Sequence, residues 1–191
     1  MQKPRKTLKI SGINGKWTLF LDRDGVINYR LVDDYVRTPE EFRFHDGVPE
    51  AIAFFSEVFG RIIVVTNQQG IGKGLMDEDN LAVVNRKMLD GIHKAGGRID
   101  KIYHCAGLRQ QMPLCRKPQI GMALQARKDF PEIDFSCSLM VGDSKSDMQF
   151  GKRIGMRTAF IGNTNPEIKP GTRLTDYRYP SLAELAKNIM T

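Results

Sequence analysis

The sequence predicts an α/β fold: a doubly wound, mostly parallel, Rossmann-like sheet with helices on both faces. Three observations carry this. Short apolar, β-branched runs alternate with longer stretches whose apolar positions recur at helical spacing. Several runs are apolar at nearly every position, as strands buried on both faces are. They also stop abruptly in polar residues, at Asp22, Thr66 and Asp143.

At 191 residues the chain is long enough to bury a two-sided sheet in one domain. Residues 1–15 read as a basic N-terminal extension and residues 16–191 as the single domain. Lys3, Arg5, Lys6 and Lys9 crowd that extension, and a solvated tail is expected there. They supply part of the net charge of +7, which suits nucleic acid and small phosphorylated substrates equally.

Residues 17–29, WTLFLDRDGVINY, open as a buried strand and end in Asp22 and Asp24, where Gly25 lets the backbone turn away. Two carboxylates at this spacing can act as nucleophile and proton carrier if a divalent cation offsets their repulsion. An isolated D-x-D-G is otherwise an ordinary polar turn. Residues 30–46 read as a surface loop, either merely solvated or placed for substrate contact. Residues 49–59 form a helix: Pro49 suits a first turn, and Ala51, Ile52, Phe55, Val58 and Phe59 share a face. The β-branched run 61–66 is the second strand, and it ends at Thr66, Asn67 and Gln68.

The following GIGKG lacks the Walker spacing, so it reads as a turn, with Lys73 a candidate to face a substrate. Residues 77–95 give the longest helix, with Leu81, Val84, Met88 and Ile92 inward. A third strand covers 99–105, a loop runs to Pro118, and a short helix spans 121–129. The fourth strand, 138–141, breaks at Gly142 and Asp143. A helix over 147–154 and a fifth strand over 158–161 follow. Residues 163–180 read mostly as loop. Ser181 and Glu184 have the form of a capping box opening a helix that ends near Met190.

In such sheets ligands bind beyond the carboxyl ends of the strands, so Asp22, Thr66 and Asp143 should converge. Clustered carboxylates repel unless a cation intervenes, and oxygen-only ligands with open positions suit Mg²⁺. Lys117 can offset charge spreading over a phosphoryl group. His45 and His93 read as surface or helix residues. Cys105, Cys115 and Cys137 do not suggest a disulfide scaffold, so a reducing cytoplasm is expected. No apolar run approaches the roughly 20 residues of a membrane span.

DRDG at 22–25, VVTN at 64–67, RKP at 116–118 and VGDSKSD at 141–147 resemble the four motifs of the haloacid-dehalogenase (HAD) superfamily of phosphatases. The resemblance runs from about residue 17 to about residue 162. DRDGVIN, TNQQGIGKG and CRKP look most like the D-glycero-D-manno-heptose-1,7-bisphosphate 7-phosphatases and the related histidinol-phosphate phosphatases. It implies Asp22 as nucleophile and Asp24 as general acid and base. It further implies Mg²⁺ on the Asp22 side chain, the Asp24 carbonyl and Asp143. Thr66, Asn67 and Lys117 would hold the phosphoryl group, with Gln68 and Arg116 near the substrate. No large cap domain is expected, and a monomer is.

Many relatives hold a structural zinc before RKP through C-x-H and C-x-C. Here Cys105-Ala106-Gly107 and Pro113-Leu114-Cys115 keep two of those four ligands, so structural zinc is not expected and His104 reads as a strand-end histidine. Relatives often place Lys directly after the last motif's aspartate; Ser144 stands there instead, which leaves the role of Lys145 open.

The activity expected is Mg²⁺-dependent hydrolysis of the 7-phosphate of the heptose bisphosphate. The alternatives are histidinol-phosphate phosphatase, a DNA 3′-phosphatase suggested by the basic tail, and a non-catalytic binding module. Neither membrane nor nucleic acid is the expected partner.

Overall fold

Side chains alternate across a strand, so a sheet covered on both faces needs apolar residues of both parities. The computed structural model describes residues 9–32, 34–162 and 170–190; Lys3, Arg5, Lys6 and Asp33 lie outside them. In chain order the elements are β1 (Ile10–Ser11), β2 (Thr18–Leu21), α1 (Val48–Val58), β3 (Arg61–Asn67), α2 (Gln69–Gly72), α3 (Glu78–Lys94) and β4 (Lys101–Cys105). Then come α4 (Gly121–Asp129), β5 (Ser138–Gly142), α5 (Lys145–Arg153), β6 (Arg157–Ile161), β7 (Tyr177–Tyr179), α6 (Leu182–Ala186) and β8 (Ile189–Met190).

Six strands form one parallel sheet in the order β4-β3-β2-β5-β6-β7. Leu19, Leu21, Ile62, Val64, Leu139 and Val141 face one layer, packed against Ile52 and Phe55 of α1, Val84 of α3 and Leu182 of α6. Phe20, Ile63, Val65 and Met140 point the other way, onto Met122 and Ala126 of α4 and Phe150 of α5. The winding is therefore double. From β2 the chain moves outward to β3 and β4, then returns to β5 on the opposite side of β2. That reversal puts the crevice of a doubly wound sheet at the tips of β2 and β5.

Among the described residues there is no inserted domain between β2 and α1. Tyr29 N–H donates to the Arg43 carbonyl and His45 N–H to that of Ile27, so residues 29–45 form one anchored excursion with Val36 and Phe42 buried.

The structure departs from expectation at both described ends. Residues 163–180 were expected to be mostly loop, and 163–169 lie outside the described residues. Tyr177–Tyr179 is nevertheless the edge strand of the sheet, too short between Asp176 and Pro180 for periodicity to mark. The last helix begins as expected, with Ser181 Oγ accepting from Glu184 N–H at 3.2 Å. It stops at Ala186, because Ile189 and Met190 pair in parallel with Ile10 and Ser11. The later part of the leading segment is thus tied down, with Ile10 and Ile13 both buried.

Replacing Ile10 by Ala should therefore lower unfolding stability by about 2–4 kcal/mol, as for other fully buried aliphatic side chains. Chemical denaturation measures this, and a loss under about 0.5 kcal/mol would mean that the segment contributes no packing.

Candidate active site

The tips of β2, β3 and β5 lie side by side, since Leu21 is in register with both Val64 and Val141. Asp22 N–H extends the ladder by one bond, to the Val141 carbonyl at 2.9 Å. Its carboxylate meets the ammonium of Lys117 at 2.9 Å. The same Nζ reaches Asp147 Oδ1 at 2.6 Å and donates to the Val65 carbonyl at 2.7 Å. Lys117, Asp22 and Asp147 are all buried. Asn67 clamps the lysine backbone: its Oδ1 accepts from Lys117 N–H and its Nδ2 donates to the Lys117 carbonyl.

Asp147 is the site residue that reading the sequence missed, although VGDSKSD contains it. The signal was the S-x-x-D spacing from Ser144 to Asp147, a capping-box pattern that turns the fourth residue's carboxylate back toward the strand tip. Ser144 caps α5, and its N–H and hydroxyl both donate to Asp147 Oδ2. This begins the helix two residues earlier than expected. The other carboxylate oxygen is left for Lys117.

Ligand oxygens of Asp22, Asp143 and Asp147 lie within 4.8 Å of one another. Gly25 makes room for this, because a Cβ there would stand 2.0 Å from Asp143 Oδ2, and its φ of +95° disfavours any other residue. Burial, reinforced by Asp147, raises the Asp22 carboxyl to about 6. Burial and the neighbouring Asp22 raise Asp143 to about 7. Three carboxylates against one ammonium leave two negative charges, which one divalent ion would neutralise. The donor set fits a hard cation such as Mg²⁺.

Asp24 is treated differently. Burial alone would raise its pKa, but the guanidinium of Arg23 and the hydrogen bonds from Asn28, Arg23 and Gln68 together outweigh it, so its carboxyl is held below the usual range. Arg23 is wholly buried, 3.0 Å from Asp24 Oδ2, and also donates to Asn85 Oδ1. Gln68 Nε2 is 2.7 Å from Asp24 Oδ2 and 2.9 Å from Thr66 Oγ1. Gln68, expected near the substrate, is thus a buried brace for Asp24.

Asp22, Asp24, Thr66, Asn67, Arg116 and Lys117 line one cavity of about 280 Å³, walled by Arg30, Leu31, Asp34, Tyr35 and Val36. The loop expected to be either solvated or substrate-facing therefore faces the site. Lys73 instead lies over the Tyr35 ring, 5.4 Å from its centroid, within the turn that begins with α2. A second cavity of about 850 Å³ shares Asn67, Arg116 and Lys117 and adds Arg109 and Lys145, with no carboxylate in its lining. The Nη1 of Arg116 is buried with no hydrogen-bond partner among the described residues. Burial and the nearby Arg109 lower the pKa of this guanidinium, as expected where an anion is wanted.

The cysteines depart from expectation. Cys105 and Cys115 are joined by a disulfide, because the loop after β4 folds back and brings their Cα atoms to 5.4 Å. Gly121 N–H, donating to the Leu114 carbonyl, holds the returning limb. His104 pairs with Glu78 at 2.9 Å. His93 is exposed at the end of α3, and His45 stacks on Tyr29. Among the described residues, no helix is long and apolar enough to cross a membrane.

Residues 114–185 match the family described as HAD-hydrolase-like. The chain is 34% identical over 171 residues to the D-glycero-alpha-D-manno-heptose-1,7-bisphosphate 7-phosphatase of Mycobacterium bovis, covering 90% of each chain. It is 35% identical over 181 residues to the D-glycero-beta-D-manno-heptose-1,7-bisphosphate 7-phosphatase of Pasteurella multocida, covering 91% of this chain and 97% of that one. Among solved structures, it is similar to a D,D-heptose 1,7-bisphosphate phosphatase from B. bronchiseptica complexed with magnesium and phosphate. There the TM-score is 0.78 at 27% identity, over 90% of this chain and 96% of that one. With the strand-tip carboxylates and buried lysine in place, these likenesses establish that the chain belongs to the HAD superfamily of phosphatases, among the heptose-bisphosphate phosphatases.

Proposed function

We propose that this enzyme removes the 7-phosphate of D-glycero-D-manno-heptose 1,7-bisphosphate through an aspartyl-phosphate on Asp22. The observation that carries the reading is the pairing of the two cavities. One holds the buried carboxylates, and the other is lined by Arg109, Arg116 and Lys145 without an acid. A second phosphate on the substrate matches that surface, whereas the cationic amine of histidinol phosphate does not. The names of the relatives point the same way. A cytoplasmic, monomeric enzyme is part of this reading, and in that compartment the Cys105 and Cys115 thiols would be kept reduced.

In the first step a carboxylate oxygen of Asp22 attacks phosphorus, and the bond to the sugar oxygen breaks. Asp24 gives that oxygen a proton. In the second step Asp24 takes a proton from water, whose oxygen attacks phosphorus and frees the Asp22 carboxylate. Arg23, Asn28 and Gln68 hold Asp24 ionised, the form the second step needs, while the substrate dianion favours the protonated form needed first. Lys117 and Thr66 offset the charge on the phosphoryl oxygens. Asp22, Asp143 and the Asp24 carbonyl would hold Mg²⁺, leaving Asp147 to fix Lys117. The ion supplies Lewis-acid stabilisation of developing charge.

Phosphate release across a panel of monoesters should be greatest for the heptose 1,7-bisphosphate, and Asp22→Asn should abolish it. Undiminished release after that substitution, or faster turnover of histidinol phosphate, would refute this assignment. Arg116→Met should raise the KM for the bisphosphate about tenfold, roughly the loss of one charge-assisted hydrogen bond, and leave that for heptose 7-phosphate unchanged.

The raised carboxyls set a pH dependence. With divalent ions chelated, Asp22 and Asp143 bind protons more tightly folded than unfolded, so stability falls as pH rises through about 6 and about 7. Melting temperature should therefore rise as pH is lowered from about 8 to about 6.5. His45, held low chiefly by burial, opposes this only at more acid pH. Magnesium should raise melting temperature most at the alkaline end, where both carboxyls are ionised. Thermal melts with and without the ion test both signs.

A further inference from the structure

The cavity wall formed by Arg30, Leu31, Asp34, Tyr35 and Val36 aims one cation at the carboxylates. Arg30 Nη2 donates to Asp143 Oδ1 at 2.9 Å and to the backbone carbonyl of Asp24 at 3.1 Å. Those are two of the three oxygens assigned to magnesium in the reading above. An ion bridging them would sit about 2.1 Å from each, inside the wedge that this nitrogen occupies. Guanidinium and metal cannot share that wedge, because two cations there repel.

The arm that would have to move is free to do so. The Arg30 side chain is 50% exposed, while its backbone follows directly on the anchored Tyr29. It lines the cavity beside Tyr35 and Asp34, so the open space next to its guanidinium is that of the site itself. Charge sets the order of preference. The carboxylates around Lys117 carry two uncompensated negative charges, and one guanidinium neutralises half of that. A divalent ion neutralises all of it, and an arriving phosphoryl dianion then brings new negative charge for the freed arginine.

We propose that Arg30 is an internal competitor for the metal position: the ion binds by displacing the guanidinium, which then contacts the phosphoryl oxygens of the substrate. Arg30 thereby couples metal loading to phosphate binding. This role rests on the magnesium-dependent reading, and the test separates the two.

Mn²⁺ binding to the full chain, followed by electron paramagnetic resonance, is compared for the wild type, Arg30→Met and Arg37→Met. Arg37 belongs to the same loop but pairs with Asp34, so its substitution controls for loss of one positive charge. Arg30→Met should bind Mn²⁺ about tenfold more tightly, the scale of one charge-assisted hydrogen bond no longer in competition, with Arg37→Met unchanged. With metal saturating, inorganic phosphate should bind Arg30→Met several-fold more weakly than wild type. Equal Mn²⁺ affinity in wild type and Arg30→Met, equal tightening in both variants, or unchanged phosphate binding would overturn the proposal while leaving the metal-dependent reading standing. Absence of saturable Mn²⁺ binding in all three proteins would overturn both. A crystal structure with magnesium in place and Arg30 Nη2 still on both oxygens would also overturn it, without recourse to a variant.

Discussion

A single ammonium, shut away from water and shared by two carboxylates, is the constraint from which the rest of the arrangement follows. Burying Lys117 is costly unless its charge and its three N–H donors are satisfied. Asp22, Asp147 and the Val65 carbonyl satisfy them, and these groups come from β2, α5 and β3. The lysine thus ties together three elements that a parallel sheet brings near one another but does not align. Asn67 adds a fourth restraint by holding the lysine's own backbone. Losing either carboxylate would leave a buried charge short of a partner, so the pairs fix geometry as much as they stabilise the fold.

A second buried cation divides the labour between two acids only two positions apart. Arg23 faces Asp24 and helps to lower its pKa, whereas Asp22 is raised by burial and by the neighbouring Asp147 with which it shares its lysine. Environment, not residue type, separates a candidate nucleophile from a candidate proton carrier. The glycine that follows them serves the same end, since only a residue without a side chain lets Asp143 approach so closely.

Much of this was legible in the sequence because buried parallel strands leave dense apolar runs with abrupt ends. The strand tips at Asp22, Thr66 and Asp143 could be read from that signal, and α4 was expected at the bounds it takes. What escaped were features that depend on partners far along the chain. Tyr177–Tyr179 is a strand only because β6 offers an edge. Asp147 looks like any acid in a first helical turn until Lys117 arrives from a distant loop. Gln68 reads as a substrate contact when its neighbours are unknown, yet its amide is taken by Asp24 and Thr66. The cysteine pair shows the same limit, because a count of three gives no hint that a returning loop joins two of them.

The small parallel pair of Ile10–Ser11 with Ile189–Met190 has a consequence for the order in which the molecule assembles. It closes a loop spanning nearly the whole described chain, so its entropic cost falls only after the intervening layers have docked. During synthesis the first partner emerges long before the second, so this pairing can form only once nearly all of the described chain has been made. The clasp thus joins the two ends of the described chain over the same packed layer that carries the strands of the crevice.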